Sequence, residues 1–289
     1  MFNQNIKSPV NIPVSKIHPF EGNPYKVLDN DEMNNLICSI QEQGILTPII
    51  IRPIENTDEY EVISGHRRLH ATVKAGMKEV PAFIYAVTRD EAAIMLVDSN
   101  LHREHILPSE KAFAYKLKLE AIKRQGERTD LTSDQVGRKL ESAELIANKS
   151  DDSKTQVRRY IRLTNLIPEL LELVDDEKIA LTPAVELSYL SDEEQYSLLG
   201  TIEEEDRTPS LSQAVRFKKL SQAGELSDES IETIMQEDKA NQKPMFKVSM
   251  ERLQKVAPKV KDKDFEDFVL KACEHYYRYL QRQRNRDAR

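Results

Sequence analysis

The stretch Glu61-Val62-Ile63-Ser64-Gly65-His66-Arg67-Arg68-Leu69-His70-Ala71 runs from a β-type segment through a glycine into a helical one, with two arginines just past the turn. Free N–H groups at a helix start attract anions, glycine admits a ligand to the main chain, and arginine forks match phosphate oxygens. The combination suits a di- or triphosphate, although a capped helix with a solvated basic face has the same pattern. Further along, Ser99-Asn100-Leu101-His102-Arg103-Glu104 forms a second polar, basic cluster between two helical segments. Asn100 can donate to a phosphate or offer its carbonyl to a hydrated Mg2+, and Arg103 can neutralise remaining charge; an ordinary interhelical loop is the plainer alternative. The histidine pairs His66/His70 and His102/His105 have helical spacing. Neither cysteine nor an HExxH glutamate accompanies them and arginines surround them, so zinc is set aside.

A third set of residues suits nucleic acid. Ser142 to Asn148 reads as a short helix, Lys149 to Asp152 as a polar turn, and Ser153 as the cap of a helix with the sequence KTQVRRYIRLTNL. Val157, Tyr160, Ile161 and Leu163 mark its inner face, whereas Lys154, Gln156, Arg158, Arg159 and Arg162 point more outward. With Thr155, these are the residue types that reach base edges and phosphates from a recognition helix. Residues 137–166 contain seven Lys or Arg against four Asp or Glu, within a chain whose net charge is −7. A helical bundle with a solvated basic face fits this pattern equally well.

The elements that must carry these residues follow from periodicity. Met33, Leu36, Ile37 and Ile40 predict a helix over Asp31–Gln43, stopped by Gly44. Ile49–Arg52, Tyr60–Ser64 and Val80–Val87 read as strands, and Leu69–Ala75 as a helix. Beyond Thr88 the pattern is helical, with Arg89–Ser99 and Ser109–Gln125 the first two helices. Glu203–Pro209 has the composition of a linker. From Asp264 onward one helix carries an aromatic stripe that includes Phe265, Phe268, Tyr276 and Tyr279, and it ends rich in arginine. This stripe suits self-association into a homodimer, or folding back onto the same chain.

Composition narrows the classes. At 289 residues, more than one domain is expected, and 31% charged residues exclude a bilayer-spanning protein. The start lacks a secretory pattern, which places the chain in the cytoplasm. Cys38 and Cys273 both fall in apolar-periodic stretches and are expected to be buried, reduced thiols.

Three boxes taken together, Gly44–Arg52 (GILTPIIIR), Ser64–Ala71 (SGHRRLHA) and Ser99–Ala112 (SNLHREHILPSEKA), resemble those of ParB N-terminal domains, whose pattern runs GxxQPI, GERRxRA and ENxQRxxLxPxEEA. The resemblance continues through the helix-turn-helix and the run NLIPELLELVDDEKIALTPAVELSYL. It implies an α+β ParB/sulfiredoxin-like domain over residues 1–106, an all-α helix-turn-helix domain over 107–202, a linker with short helices over 203–243, and a C-terminal association segment over 244–289.

The implied ligand is CTP with Mg2+. Thr47 and Pro48 would lie by the base, Gly65, His66, Arg67 and Arg68 by the phosphates, and Asn100 and Arg103 by the phosphates and metal. Double-stranded DNA would lie on Ser153, Lys154, Thr155, Gln156, Arg158, Arg159 and Arg162. The implied function is a nucleotide-gated clamp at a centromere-like site on the nucleoid, serving chromosome, plasmid or mobile-element segregation, with a ParA-type ATPase as partner. Only Lys7 is basic before Lys16, however, where such a partner expects a basic arm. His66 and Ser99 stand where the boxes have glutamates, so CTP hydrolysis loses the carboxylates that hold metal and orient water. A helix-turn-helix transcription regulator and a ParB-fold nuclease are the rival readings. Sulfiredoxin activity is excluded because Gly65 occupies the place of the nucleophilic cysteine.

Overall fold

The computed structural model describes residues 8–101, 103, 105–130, 146–147, 150, 152–237, 254–257, 260 and 265–287. The chain divides into two compact units, Met1–Glu237 and Asp238–Arg289.

The first unit opens with β1 (Val10–Pro13), a 3-10 turn (Val14–Lys16) and β2 (Ile17–His18). Then come α1 (Asp31–Gln43), β3 (Ile49–Pro53), β4 (Tyr60–Ser64), α2 (His66–Lys74), β5 (Glu79–Ile84) and α3 (Arg89–Asn100). The five strands form one mixed sheet in the order β1-β5-β3-β4-β2. β3 lies antiparallel to β4 and parallel to β5, and a register shift at Ile50/Ile51 bends β3. Alternate residues of the central strands point to opposite faces. Ile49, Ile51 and Val62 pack with Leu69 of α2, while Ile63 packs with Leu96 and Val97 of α3. Both faces are thus buried, which explains why β3 opens as a continuous apolar run, Ile49 to Ile51.

Local chemistry fixes the helix ends. The Asn30 side chain accepts from the Met33 N–H, and Gly44 closes α1 at φ 72°. Thr88 and Glu91 form a reciprocal capping box at the start of α3. Gly65 sits at φ 106°, and a Cβ there would come within 2.7 Å of Ile49 Cγ2. Both the backbone angle and the contact with β3 require glycine.

The helical part begins with α4 (Pro108–Asp130) and continues with α5 (Lys154–Leu163), α6 (Pro168–Asp175), α7 (Leu181–Leu187), α8 (Asp192–Glu205), α9 (Leu211–Ala223) and α10 (Asp228–Gln236). α4 contributes to three cores. Ala114 and Ala121 pack on α3, Tyr115 packs with Ile146 and Val157, and Ala112 joins a large cluster containing Leu163, Leu170, Leu187, Leu198, Phe217 and Ile234. Two ion pairs, Lys118–Asp98 and Arg124–Asp90, fix α4 against α3, and Lys118 is only 1% exposed.

Several expectations are corrected here. The acidic stretch taken as a linker, Glu203–Pro209, starts as the last turn of α8, through Glu205, ended by Asp206 in the left-handed region. α9 and α10 bury Ala214, Phe217, Ile231 and Ile234 in the same core as α5 to α8. Both cysteines are exposed: Cys38 falls on the outer side of α1, and Cys273 lines an open apolar groove along the terminal helix. β5 ends at Ile84, before Val87, and β1 and β2 escaped the sequence reading because they are short edge strands.

In the second unit, α11 (Phe265–Asp287) presents a groove of about 300 Å³ lined by Val256, Phe265, Phe268, Val269, Ala272 and Tyr276, among others. Phe265 is buried, whereas Leu270, Tyr276, Tyr277 and Tyr279 are exposed. Among the described residues, no helix is long and apolar enough to cross a membrane.

Gly65→Ala is expected to lower stability by about 2 kcal/mol, since an alanine is strained at that φ and strikes Ile49. Gly76→Ala has positive φ but open space, and should lose less. Urea unfolding of the two variants checks this order.

Candidate functional site

The β4–α2 turn opens into a cleft of about 550 Å³ lined by Glu32, Asn35, Leu36, Ser64, Gly65, His66, Arg67, Arg68, Ser99, Asn100 and Arg103. This volume lies within the range of small-ligand sites. The N-terminus of α2 has no side-chain cap, and its hydrogen bonding begins with Leu69 N–H to the Gly65 carbonyl. The N–H groups of His66, Arg67 and Arg68 therefore supply the anion-attracting end of the helix. β3 and β4 hold the turn from below, α1 forms one wall, and the end of α3 brings Ser99 and Asn100 to the opposite wall.

The expected residues arrive with different duties. Arg67 lines the cleft and pairs with Glu32 at 3.0 Å. One nitrogen of the Arg68 guanidinium donates to the carbonyls of Thr47 at 2.5 Å and Pro48 at 2.8 Å, tying the lead into β3 to α2. Thr47 and Pro48 do not line this cleft themselves; Arg68 links them to it. Asn100 is buried, and its Nδ2 donates to the Leu96 carbonyl at 2.7 Å and to Ser99 Oγ at 3.2 Å. Arg103 is exposed, with its guanidinium 5.6 Å from the centroid of the Tyr25 ring.

His66 is a wall and a pin rather than a cation. Its Nε2 accepts the Phe20 N–H at 3.2 Å, which assigns the ring proton to Nδ1. Burial, reinforced by Arg103, pushes the imidazole down to about 4. A second bond, from the Glu21 N–H to Glu61 Oε1 at 3.0 Å, fixes the same loop, while Oε2 of Glu61 takes Arg52 in a buried pair at 2.7 Å. The loop then carries Tyr25 against α3 and Lys26 to the start of α4, where the Lys26 N–H donates to Glu110 at 2.8 Å. Sequence reasoning missed Glu32, Asn35, Leu36, Ser64 and Tyr25 as parts of this site. The α1 wall gives no local signal because helix packing, and no motif, brings it there.

The basic helix is arranged as follows. Ser153 caps α5 by accepting the Gln156 N–H at 3.2 Å. Val157 and Leu163 are buried, Ser153, Thr155, Arg158 and Arg159 are exposed, and Lys154 and Gln156 are half-buried. Tyr115 donates to Asp152 at 2.5 Å and Lys111 pairs with Asp152 at 2.6 Å, so the residue before the cap is bolted to α4. Arg162 departs from the outward expectation. Its guanidinium donates to Ser188 Oγ and the Ser188 carbonyl and lies 3.9 Å from the Tyr189 ring centroid, clamping α5 onto the end of α7. Of the preceding short helix, only Ile146 and Ala147 are described, with Ile146 buried beside Tyr115 and Val157; the rest of that predicted element, and His102 and Glu104, lie outside the described residues. No metal-ligating cluster of three occurs among the described residues, and His70 is engaged with Asp29 at 2.8 Å.

Residues 3–101 match the family model for the ParB N-terminal domain. The chain is 31% identical over 207 residues to the chromosome-partitioning protein Spo0J of Thermus thermophilus, covering 72% of this chain and 70% of that protein. It belongs to the ParB family. A nucleoid occlusion protein of Listeria innocua is 30% identical over 70% of this chain, and the match spans 65% of the relative, just under two thirds of its length. Two solved structures of C-terminally truncated Caulobacter crescentus ParB are also similar. The one complexed to the centromeric parS site gives a TM-score of 0.42 at 20% identity, covering 78% of this chain and 98% of that one. The one with CTP-γ-S gives 0.32 at 22% identity, covering 68% and 99%. The ParB N-terminal match contains the turn at Gly65, the α1 wall and Asn100, so the cleft falls almost wholly inside it, with Arg103 just beyond.

His66 gives this site a pH signature. Its folded value of about 4 lies below the unfolded value of about 6.5, so the unfolded chain binds the extra proton first. Stability from the neutral imidazole is complete above the unfolded value and is lost as pH falls towards 4. The loss is about 3 kcal/mol for such a shift. In His66→Gln, whose amide oxygen can still accept from Phe20, unfolding free energy is expected to fall less steeply than wild type between pH 6.5 and pH 4 in parallel urea titrations.

Proposed function

We propose that this chain is a DNA-binding partition protein that takes CTP in the cleft at α2 and reads duplex DNA with α5, the second helix of a helix-turn-helix. The observation that carries this reading is that an anion cleft and an exposed basic helix are joined through one helix, α4, in a single compact unit of a ParB-family chain. The phosphates of CTP would lie on the N–H groups of His66 to Arg68, with Arg67 and Arg103 supplying charge. Arg68 would act mainly by holding the loop at Thr47 and Pro48 in place for the base.

Mg2+ does not fit as a protein-held ion. Among the described residues the cleft lining offers one carboxylate, Glu32, already paired with Arg67, and beyond it the Asn100 carbonyl. A hard divalent ion needs more oxygen ligands than that, so any Mg2+ would be carried by the phosphates. With a neutral, main-chain-bonded imidazole at 66 and a hydroxyl at 99, no carboxylate at either position can orient water. The protein is thus a nucleotide-binding switch with little turnover.

On the DNA side, Ser153, Lys154, Thr155 and Gln156 would meet base edges or phosphates at the helix start. Arg158 and Arg159 would bind phosphate from the exposed face, and Arg162 would support α5 from behind. A second copy covering the aromatic stripe of α11 would give a homodimer suited to an inverted-repeat site. Action on the nucleoid and partnership with a ParA-type ATPase belong to the same reading. The similarity to nucleoid occlusion proteins supports a second reading, with the same two sites serving occlusion in place of partition. Genome-wide occupancy around partition genes separates the two.

The test is selection of duplex sites by the purified full chain with and without CTP. An enriched inverted repeat whose retention changes with CTP is expected; no enrichment over random duplex removes the reading. The double variant Arg158→Ala/Arg159→Ala should weaken binding across all sequences and flatten the logarithmic salt dependence by about 2. Unchanged affinity and slope would show that these arginines do not contact DNA.

A further inference from the structure

Tyr25 is 6% exposed, and its hydroxyl is buried with no hydrogen-bond partner among the described residues. A buried hydroxyl in that state costs as much as a lost hydrogen bond, and phenylalanine would fill the same space among Phe20, Leu96 and Val97 without that cost. Orphaned polar groups in a folded core call for an explanation, and a functional role is one of them. Tyr25 also does not hang loosely. The Asn23 side chain accepts the Tyr25 N–H and donates to the Tyr25 carbonyl, both at 3.2 Å, so a local turn sets the ring's position.

The surroundings point to a ligand. A void of about 20 Å³ is walled by Tyr25, Gly65, His66, Asn100 and Arg103, together with neighbouring loop residues. Gly65, His66, Asn100 and Arg103 also line the large cleft, so Tyr25 stands behind the wall that the phosphates would face. Arg103 covers the ring at 5.6 Å and makes no ion pair among the described residues. An anion entering the cleft would draw that guanidinium outward and expose the space it covers. Burial raises the phenol above its ordinary value, so it stays protonated, as a donor, at neutral pH.

We propose that Tyr25 is a binding residue of the cleft, its hydroxyl donating a hydrogen bond to a phosphate oxygen of the bound nucleotide once Arg103 has turned to the same anion. This rests on the reading of the cleft as a nucleotide site. The deeper claim is that the hydroxyl is held unpaired in the free protein and gains its partner from the ligand.

The experiment is calorimetric titration of the full-length wild type and Tyr25→Phe with CTP and with inorganic triphosphate, alongside thermal unfolding without ligand. The expected result is binding about 10-fold weaker in the variant for both ligands, the effect of one charge-assisted hydrogen bond, with an unfolding midpoint equal to or above wild type. Equal affinities for the two proteins would overturn the proposal. A lowered midpoint would also overturn it, because the hydroxyl would then have a partner in the free protein. Loss with CTP alone would place the contact on base or ribose and overturn the phosphate assignment. Failure of the wild type to bind either ligand would instead overturn the reading of the cleft on which the proposal stands.

Discussion

The left-handed turn at Gly65, pressed against Ile49, is the constraint on which the other features depend. It reverses the chain from the interior strand β4 into α2 within one residue, so the first N–H groups of α2, which lack intrahelical partners, open beside the strand ends. A side chain at that position would push α2 away from β3 and separate Arg68 from the carbonyls of Thr47 and Pro48. His66, the next residue, then pins the loop that carries Tyr25 and Lys26. One backbone conformation thus sets the position of the anion-attracting helix end, the loop behind it and the lead into β3.

From this turn the structure reaches the basic helix by way of α4. Its first turn is tied to the cleft loop through Lys26 and Glu110, and to the helical core through Asp175, which accepts from both the Ser109 N–H and the Ser109 hydroxyl. Further along, α4 buries Lys118 against Asp98 of α3 and presents Tyr115 to Asp152 at the start of α5. A charge buried in this way is costly to leave unpaired, so α4 cannot slide on α3 without a large penalty. Lys26 therefore ties the loop behind the cleft to the same helix that holds the start of the basic helix α5, a continuous chain of contacts between the two regions.

Much of this was legible in the residues. α1 and β4 occupy the predicted spans because their signals are local: an apolar stripe closed by Gly44, and a β-rich run broken by Gly65. The cap at Ser153 and the inner face of α5 follow from the same local rules. What escaped the sequence depends on packing between distant segments. The α1 wall, the orphaned hydroxyl of Tyr25 and the engagement of Arg162 by Ser188 and Tyr189 are contacts that no spacing encodes. The exposure of both cysteines shows the limit of periodicity, which marks an apolar stretch without saying which of its residues turns inward. The acidic run at Glu203 misled for a related reason: its charges lie on the solvent side of α8 while Ile202 is buried in the core.

The central claim is that the first amides of α2 hold the phosphates of a nucleotide. Hydrogen exchange at the backbone amides of His66, Arg67 and Arg68, with and without saturating CTP, tests it most directly. The account predicts that these amides, which lack intrahelical partners in the free protein, become strongly protected when CTP binds. Exchange at the three positions that stays unchanged under saturating nucleotide would contradict it.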